Sequence, residues 1–231
     1  MAPTVTAAFG YRETGDPFAG DTDGRRRLRL GLCSSLSWGF LRDLIRRVRA
    51  EPDAAALSFV EGATHQIIRA TSRGEIDVGF VYGPPEGSLL QYEALWSEPL
   101  MVLMPDQHPL ARDSDVRPEA LLDQTFLVAG DMAERDLQVG LLERTIGAAP
   151  AAVLLAPVER ATLSDLVSLG FGLALAPASA MGAFHPGVSV RPIAGPIAPI
   201  AFHAVWRGSN RNPELERFLA DARAHAEAWR G

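Results

Sequence analysis

One plan appears twice in this chain, and that repetition limits the possible folds more than any other feature. Residues 61–85 read E-G-A-T-H-Q-I-I-R-A-T-S-R-G-E-I-D-V-G-F-V-Y-G-P-P: a loop, a short helix, a glycine stop, then a buried strand that ends at Gly-Pro-Pro. The helix opens at Gly62-Ala63-Thr64, with Ala63 or Thr64 near its cap, where a helix leaves backbone N–H groups unpaired. Ile67, Ile68 and Thr71 share one face, and Gly74 suits the left-handed position that closes a helix. Residues 76–81 are nearly continuously apolar with a β-branched bias, as in a parallel strand covered on both faces. Residues 158–179, V-E-R-A-T-L-S-D-L-V-S-L-G-F-G-L-A-L-A-P-A-S, repeat the plan. There the helix ends at Gly170, and a strand over 171–176 is closed by Pro177. Two such units predict two similar α/β lobes.

The surrounding sequence supplies the rest of each lobe. Residues 28–33 alternate and predict the first strand. Ser34, Ser35 and Ser37 offer caps for a helix whose apolar stripe is Leu41, Leu44, Ile45 and Val48. Its other face carries Arg42, Arg46, Arg47 and Arg49. A strand over 57–61 completes β-α-β-α-β, which implies a parallel sheet with right-handed crossovers. Residues 88–96 read as a loose connection and 99–105 as a further strand. Pro118 suits the first turn of a short helix bearing Leu121 and Leu122. Strands are expected over 125–129, 153–156, 188–193 and 200–206, and a helix over 132–146 with Leu137, Leu141 and Leu142 on one side. Asn212-Pro213-Glu214 starts the last helix, with stripe Leu215, Phe218, Leu219 and Ala222. Residues 1–26 have no periodicity and read as a flexible lead-in.

Composition excludes several chemistries. The chain has 231 residues, enough for a sizeable core, and a net charge of −6, which does not describe a nucleic-acid-binding surface. All of its basic residues are Arg. Without Lys there is no Schiff base to a pyridoxal cofactor and no Walker-type phosphate lysine. The single Cys33 excludes an intrachain disulfide and a multi-cysteine zinc site. No apolar run is long enough to span a membrane and no signal-peptide core is visible, so a cytoplasmic location is expected. His65, His108, His185, His203 and His225 are scattered and read as surface or locally bonded side chains, and no metal or cofactor is expected. Glu75 and Asp77 flank a strand start as possible paired acids. With no partner acid placed nearby in sequence they read instead as a turn acid and a helix- or loop-bonding carboxylate. No G-x-S-x-G, G-x-G-x-x-G, H-E-x-x-H or C-x-x-C is present.

Binding fits better than catalysis. In open α/β sheets ligands sit beyond the carboxyl ends of the strands. Those ends are Ser34-Ser35, Gly62-Ala63-Thr64, Tyr82-Gly83, Val128-Ala129-Gly130 and the segment from Pro157 to Arg160. Several precede helices, so hydroxyls and free N–H groups would converge with a positive dipole end, a setting for a small anion such as a carboxylate. Arg160 either adds a charge-assisted bond or pairs locally with Glu159 or Asp165.

Five pieces, L-R-L-G-L-C-S-S, E-P-D-A-A-A-L-S-F-V-E-G, R-G-E-I-D-V-G-F, L-M-V-L-M-P-D-Q-H-P-L-A and L-V-S-L-G-F-G-L-A-L-A-P, carry a resemblance that runs from Leu28 to Ala222. In that order they resemble the effector-binding domain of LysR-type transcription regulators. The resemblance implies an α/β protein of two Rossmann-like lobes joined by two crossover strands, the type 2 periplasmic-binding-protein fold. It implies lobe I as 27–100 plus 202–231, lobe II as 101–201, and crossovers near 99–105 and 196–206. It implies a small-molecule effector in the interlobe cleft, contacted by Ser34, Ser35, Ala63, Thr64, Val128, Gly130, Glu159 and Arg160. Ala63 departs from the family, where a hydroxyl residue is frequent. It also implies a homodimer through the helices expected over 38–49 and 134–146, without catalysis. DNA would be read only by a helix-turn-helix domain, for which residues 1–27 are too short and too polar. A truncated regulator and a separate sensor domain both fit. A free-standing solute-binding protein and an enzyme on the same fold, such as a dehydratase or deaminase, are the other readings.

Overall fold

In the computed structural model of this chain, β1 (Arg27–Leu32) pairs in parallel with β2 (Ala56–Glu61) on one side and β3 (Val78–Tyr82) on the other. The structure describes residues 26–182 and 185–229. Apart from Arg26, the lead-in expected over 1–26 lies outside the described residues. Helix α1 (Phe40–Ala50) follows β1, and α2 (Thr64–Arg73) follows β2. β4 (Gln91–Glu98) and β10 (Ile200–Trp206) extend this sheet to the order β2-β1-β3-β10-β4, and β10 runs antiparallel to β3. The predicted parallel β-α-β-α-β is therefore present, within a sheet that is mixed rather than wholly parallel. Helix α5 (Pro213–Ala228) packs Leu215, Phe218, Leu219 and Ala222 inward, and Asn212 caps it by accepting from the Glu214 N–H at 3.1 Å.

The second set of elements contains β5 (Leu100–Pro105), β6 (Thr125–Ala129), α3 (Met132–Ile146), β7 (Ala152–Ala156), α4 (Arg160–Ser168), β8 (Ala174–Pro177) and β9 (Val188–Pro192). Short 3-10 turns cover Pro109–Arg112 and Pro118–Leu121. β6 and β7 are parallel, whereas β5 runs antiparallel to both β8 and β9. A single residue links these pairings: the Leu127 N–H donates to the Leu173 carbonyl at 2.7 Å, and the Leu173 N–H donates to Thr125 at 2.8 Å. Val167 of α4 is fully buried, in a cluster with Leu103, Leu127 and Ala174.

The described chain separates into two compact units. The first holds residues 26–34, 43–95 and 202–229; the second holds 35–42 and 96–201. β4 and β10 each carry the chain from one unit to the other.

Several expectations need correction. Residues 88–96 are not merely a connection: 91–98 form β4, at the edge of its sheet. Edge strands are half solvated, and Q-Y-E-A-L-W-S-E shows only a weak apolar period. The strand expected over 171–176 begins later, at Ala174. Gly170 takes a left-handed φ of 83°, and the Phe171 N–H closes α4 by donating to Leu166 at 3.1 Å. Phe171 is exposed as a result. Among the histidines, His203 and His225 are buried rather than superficial. Burial lowers the His203 pKa, which favours the neutral ring, and that ring meets Tyr92 edge-on at 5.9 Å. The leucines on one side of α3 divide, with Leu142 buried and Leu137 exposed.

The first unit is organised where α2 lies on the sheet. Gly31 and Gly79 are register partners on β1 and β3. A β-carbon on Gly31 would stand 2.9 Å from Ile67 Cγ2, and one on Gly79 would stand 2.5 Å from the same methyl. Ile67 is fully buried over both. The two missing side chains thus create the space that Ile67 fills, and close packing leaves no slack there. Gly79→Ala is expected to cost about 1–3 kcal/mol by overpacking. In a denaturant-melt double-mutant cycle, adding Ile67→Ala should cost less than it does in the wild type.

Asp77, one of the possible paired acids, has a structural task. Its carboxylate accepts from Arg29 Nε and Nη2, both at 3.1 Å, from the Arg29 N–H at 2.9 Å, and from Asn210 Nδ2 at 3.2 Å. Burial alone would raise its pKa. The Arg29 bonds outweigh burial and hold the carboxyl below its ordinary value. A depressed pKa means that the charged form stabilises the fold above about pH 4, and that this contribution is lost as pH falls further. Asp77→Asn is therefore expected to cost about 2 kcal/mol at neutral pH. Urea melts from pH 7 to pH 2.5 should show the gap to wild type narrowing in acid.

Candidate functional site

Because β1, β2 and β3 are adjacent and parallel, their carboxyl ends share one edge of the first unit. Gly62 is tied to β1 there, its N–H donating to the Leu32 carbonyl at 3.0 Å. Two residues farther along each strand stand Ser34 and Thr64. Ser34 is 2% exposed and Thr64 7% exposed. Neither the Ser34 Oγ nor the Thr64 Oγ1 has a hydrogen-bond partner. Native proteins rarely leave buried hydroxyls unpaired, since each costs about 1–3 kcal/mol. Two on neighbouring strand ends mark this edge as built for something polar.

Ala63 lies beside them as the N-cap of α2, with φ −63° and ψ 153°. Its carbonyl accepts from Gln66 N and Ile67 N, and its own N–H donates to Gln66 Oε1 at 2.9 Å. Having no side-chain oxygen, Ala63 leaves the first-turn N–H groups of α2 without a side-chain cap. The positive end of the helix dipole therefore joins the two hydroxyls. Tyr82, at the end of β3, holds the neighbouring backbone: its OH donates to the Cys33 carbonyl at 3.1 Å, and its ring meets Phe202 at 5.0 Å. Sequence reasoning placed Tyr82 at a strand end but did not make it a site residue. Only the fold shows that its hydroxyl buttresses the Cys33–Ser34 peptide. Cys33 is 1% exposed, which removes it as an accessible nucleophile.

Ser35 has a different role from Ser34. Its Oγ lies 2.7 Å from Ser37 Oγ and accepts from the Ser37 N–H at 3.0 Å. Ser37 in turn donates to the Ser179 carbonyl at 2.8 Å. The Ser179 N–H donates at 2.7 Å to Glu98, a buried carboxylate that also accepts from Trp96 Nε1 at 2.8 Å. Trp96 stacks on Phe40 at 4.4 Å. Ser35 thus begins a hydrogen-bonded chain inside the second unit.

The remaining expected site residues gather at the carboxyl ends of β6 and β7. Val128 is buried within β6. Gly130 takes a φ of +97° and donates its N–H to the Ala156 carbonyl at 3.2 Å. Unlike α2, α3 is well capped: Asp131 Oδ1 accepts from Ala133 N and Glu134 N, both at 3.1 Å. Glu159 is the N-cap of α4 without a side-chain cap bond, and it is exposed. Arg160 opens α4, also exposed, and its carbonyl accepts from Ser164 Oγ at 3.2 Å. The structure therefore gathers the expected residues into two groups, one in each unit, with Ser35 in a segment of its own. Glu134, buried at 7% exposure beside Gly130, escaped sequence reasoning because nothing local separates it from an ordinary solvated helix acid.

No group of three or more His, Cys, Asp or Glu side chains among the described residues could hold a metal ion. Among those residues, no helix is long and apolar enough to cross a membrane.

Comparison with known proteins bears on the family and the fold. The family described as LysR substrate binding domain matches residues 22–227. The Hca operon transcriptional activator HcaR of Escherichia coli K12 is 29% identical over 199 residues, covering 84% of this chain and 66% of HcaR. The regulator IlvR of Caulobacter vibrioides is 32% identical over 221 residues, covering 85% of this chain and 70% of IlvR. The chain thus spans just under two thirds of the length of HcaR. Among solved structures, the effector binding domain of QuiR in complex with shikimate superposes with a TM-score of 0.73. It is 19% identical and covers 87% of this chain and 97% of the QuiR domain, a likeness in fold. With a mixed-sheet α/β architecture and a family match across nearly all of its described residues, this chain belongs to the LysR substrate-binding domain family.

Proposed function

We propose that this effector-binding domain senses a small organic carboxylate, held in the first unit by the Ser34 and Thr64 hydroxyls and the N-terminus of α2. The pair of buried, unpartnered hydroxyls carries the reading. Both can donate, both are already desolvated, and the uncapped helix end beside them favours negative charge. A carboxylate accepts from both and removes the penalty of leaving them unmet. The likeness to a domain solved with shikimate, itself a carboxylate, supports this class without naming the ligand.

The wider role follows from the same reading. Residues 27–100 with 202–231 form one lobe and 101–201 the other, and Val128, Gly130, Glu159 and Arg160 lie in the second. The domain is a cytoplasmic, non-enzymatic sensor that pairs with a second copy through α1 and α3. Exposed Trp38 before α1 and exposed Leu137 on α3 suit that contact. DNA recognition belongs to a helix-turn-helix domain, in keeping with the regulators to which the chain is similar.

A thermal-shift panel of small carboxylates tests the site. A ligand at one hundred times its Kd should stabilise the domain by about 2.7 kcal/mol. Ser34→Ala combined with Thr64→Val should weaken that ligand roughly tenfold or more. Without ligand, the double variant should be as stable as wild type or more so, since two unpaired hydroxyls are gone. A ligand whose affinity is the same in the double variant would remove the carboxylate site from this edge.

A further inference from the structure

The opposite edge of the first unit's sheet carries a cation without a counterpart. β10 runs antiparallel to β3 with Trp206 opposite Val78, so Arg207 leaves the sheet at the amino end of β3. Ser34 and Thr64 stand at the other edge, beyond the carboxyl ends of β1 and β2. Arg207 is half-buried, and its Nε is enclosed with no hydrogen-bond partner. Its guanidinium makes no hydrogen bond or ion pair among the described residues. The acids of the adjoining segments are engaged elsewhere or point away. Glu75 pairs with Arg73 at 3.7 Å, Asp77 with Arg29 at 3.1 Å, and Glu93 with Arg223 at 2.8 Å. Glu86 is exposed and lines no part of the hollow beside Arg207.

The helix end explains the charge but not the unmet donors. Arg207 lies against Gly74, which closes α2: a β-carbon there would stand 2.5 Å from Arg207 Cζ and 2.9 Å from its Nη1. A cation suits the negative end of a helix dipole. The last carbonyls of α2 nevertheless take their bonds from the backbone. The Thr71 carbonyl accepts from the Gly74 N–H at 3.0 Å, and the Ala70 carbonyl from the Glu75 N–H at 2.9 Å. A partly desolvated guanidinium whose forked donors meet no acceptor is an incomplete arrangement.

Arg207 lines a hollow of about 590 Å³ together with Ser72, Ser88, Leu89, Gln91 and Ser209, all of them in the first unit. That volume falls within the range of about 300–1,000 Å³ of small-molecule sites. No acidic residue lines it. Ser72 spends its proton on the Ile68 carbonyl at 2.9 Å, whereas Ser88 Oγ accepts from the Leu90 N–H at 3.4 Å and keeps its own proton to donate. Ser209 adds a second hydroxyl and Gln91 an amide. Leu89 is fully exposed. We propose that this hollow is a second ligand site, which takes the phosphoryl group of a small organic phosphate. Arg207 pairs with phosphoryl oxygens, Ser88 and Ser209 donate to those that remain, and Leu89 covers the carbon skeleton. A carboxylate would occupy only the guanidinium fork, while three phosphoryl oxygens answer the fork and both hydroxyls.

The experiment titrates the full chain by calorimetry at constant ionic strength with glycerol 3-phosphate, phenyl phosphate, inorganic phosphate, glycerol and benzoate. At least one ester should bind saturably and more tightly than inorganic phosphate, and glycerol should not bind. In Ser34→Ala/Thr64→Val, which silences the carboxyl edge, the esters should bind as in wild type and phenyl phosphate should exceed benzoate. Arg207→Gln should weaken the esters roughly tenfold or more. Ser88→Ala/Ser209→Ala should weaken them several-fold, and it decides the matter if circular dichroism shows that Arg207→Gln does not fold. The assignment is overturned if neither ester binds saturably, if inorganic phosphate matches both esters, or if benzoate matches phenyl phosphate. Ester affinity unchanged in the folded hollow variants overturns it too. Loss of ester binding in Ser34→Ala/Thr64→Val would move the phosphate to the carboxyl edge and remove the second site, while leaving the carboxylate reading to its own test.

Discussion

Everything at the carboxyl edge of the first unit's sheet depends on how closely α2 approaches the sheet. Ile67 occupies the space that Gly31 and Gly79 leave open on two adjacent strands, and that contact fixes the height of the helix above β1 and β3. A helix held there starts close to the carboxyl end of β2, so Ala63 and Thr64 fall beside the end of β1. Were either glycine larger, the helix would lift or slide, and Thr64 would move with it. The position of the Thr64 hydroxyl is thus set three residues away, by a packing constraint with no polar component. Tyr82 applies the same logic from β3, holding the Cys33 carbonyl and with it the peptide before Ser34.

The two units use the same plan with opposite polarity. At the start of α2 the cap is an alanine and the nearby hydroxyls are unmet, so the edge is poor in acceptors and rich in donors. At the start of α3 the cap is an aspartate that satisfies the backbone, and a second acid is buried with an unused oxygen. A helix N-terminus favours anions only while its own sequence leaves it uncapped. Asp131 removes that preference from α3, and Ala63 preserves it in α2. Thr64, one position later, places a buried hydroxyl beside that uncapped end.

Much of this was legible in the sequence because it follows from periodicity and turn chemistry. The strand over 125–129, the strand over 200–206 and the Asn212 cap fall where alternation and capping residues place them. The glycine stops at Gly74 and Gly170 are both left-handed, as the repeat required. What escaped depends on long-range pairing. β4 is an edge strand whose residues are too mixed to show a period. The division of the second repeat between Leu173, which bridges to β6, and Ala174–Pro177, which pairs with β5, is invisible without the sheet. The site was legible as a set of strand ends, but not as a set of roles. Ser34 and Ser35 are alike in sequence; the first is buried and unbonded, while the second is bound to Ser37. No local property of Glu134 reveals that it is buried beside Gly130.

Ser34 and Ser35 are neighbours in the chain with separate surroundings. They are joined by one peptide bond, yet they belong to different units of the chain. The Ser35 hydroxyl is held by Ser37, Ser37 by Ser179, and Ser179 by Glu98, a carboxylate that also holds Trp96. A ligand that bonds Ser34 therefore acts one residue from a buried hydrogen-bonded chain in the second unit. Such a link transmits nothing by itself. A ligand shifts a conformational equilibrium only by the difference in its affinity for the two states, and one bound equally in both moves nothing. The unpaired hydroxyls matter for that reason. Under the proposed carboxylate reading, their desolvation cost is present without ligand and offset with it, so an arrangement that brings a ligand to them would gain what the empty one lacks.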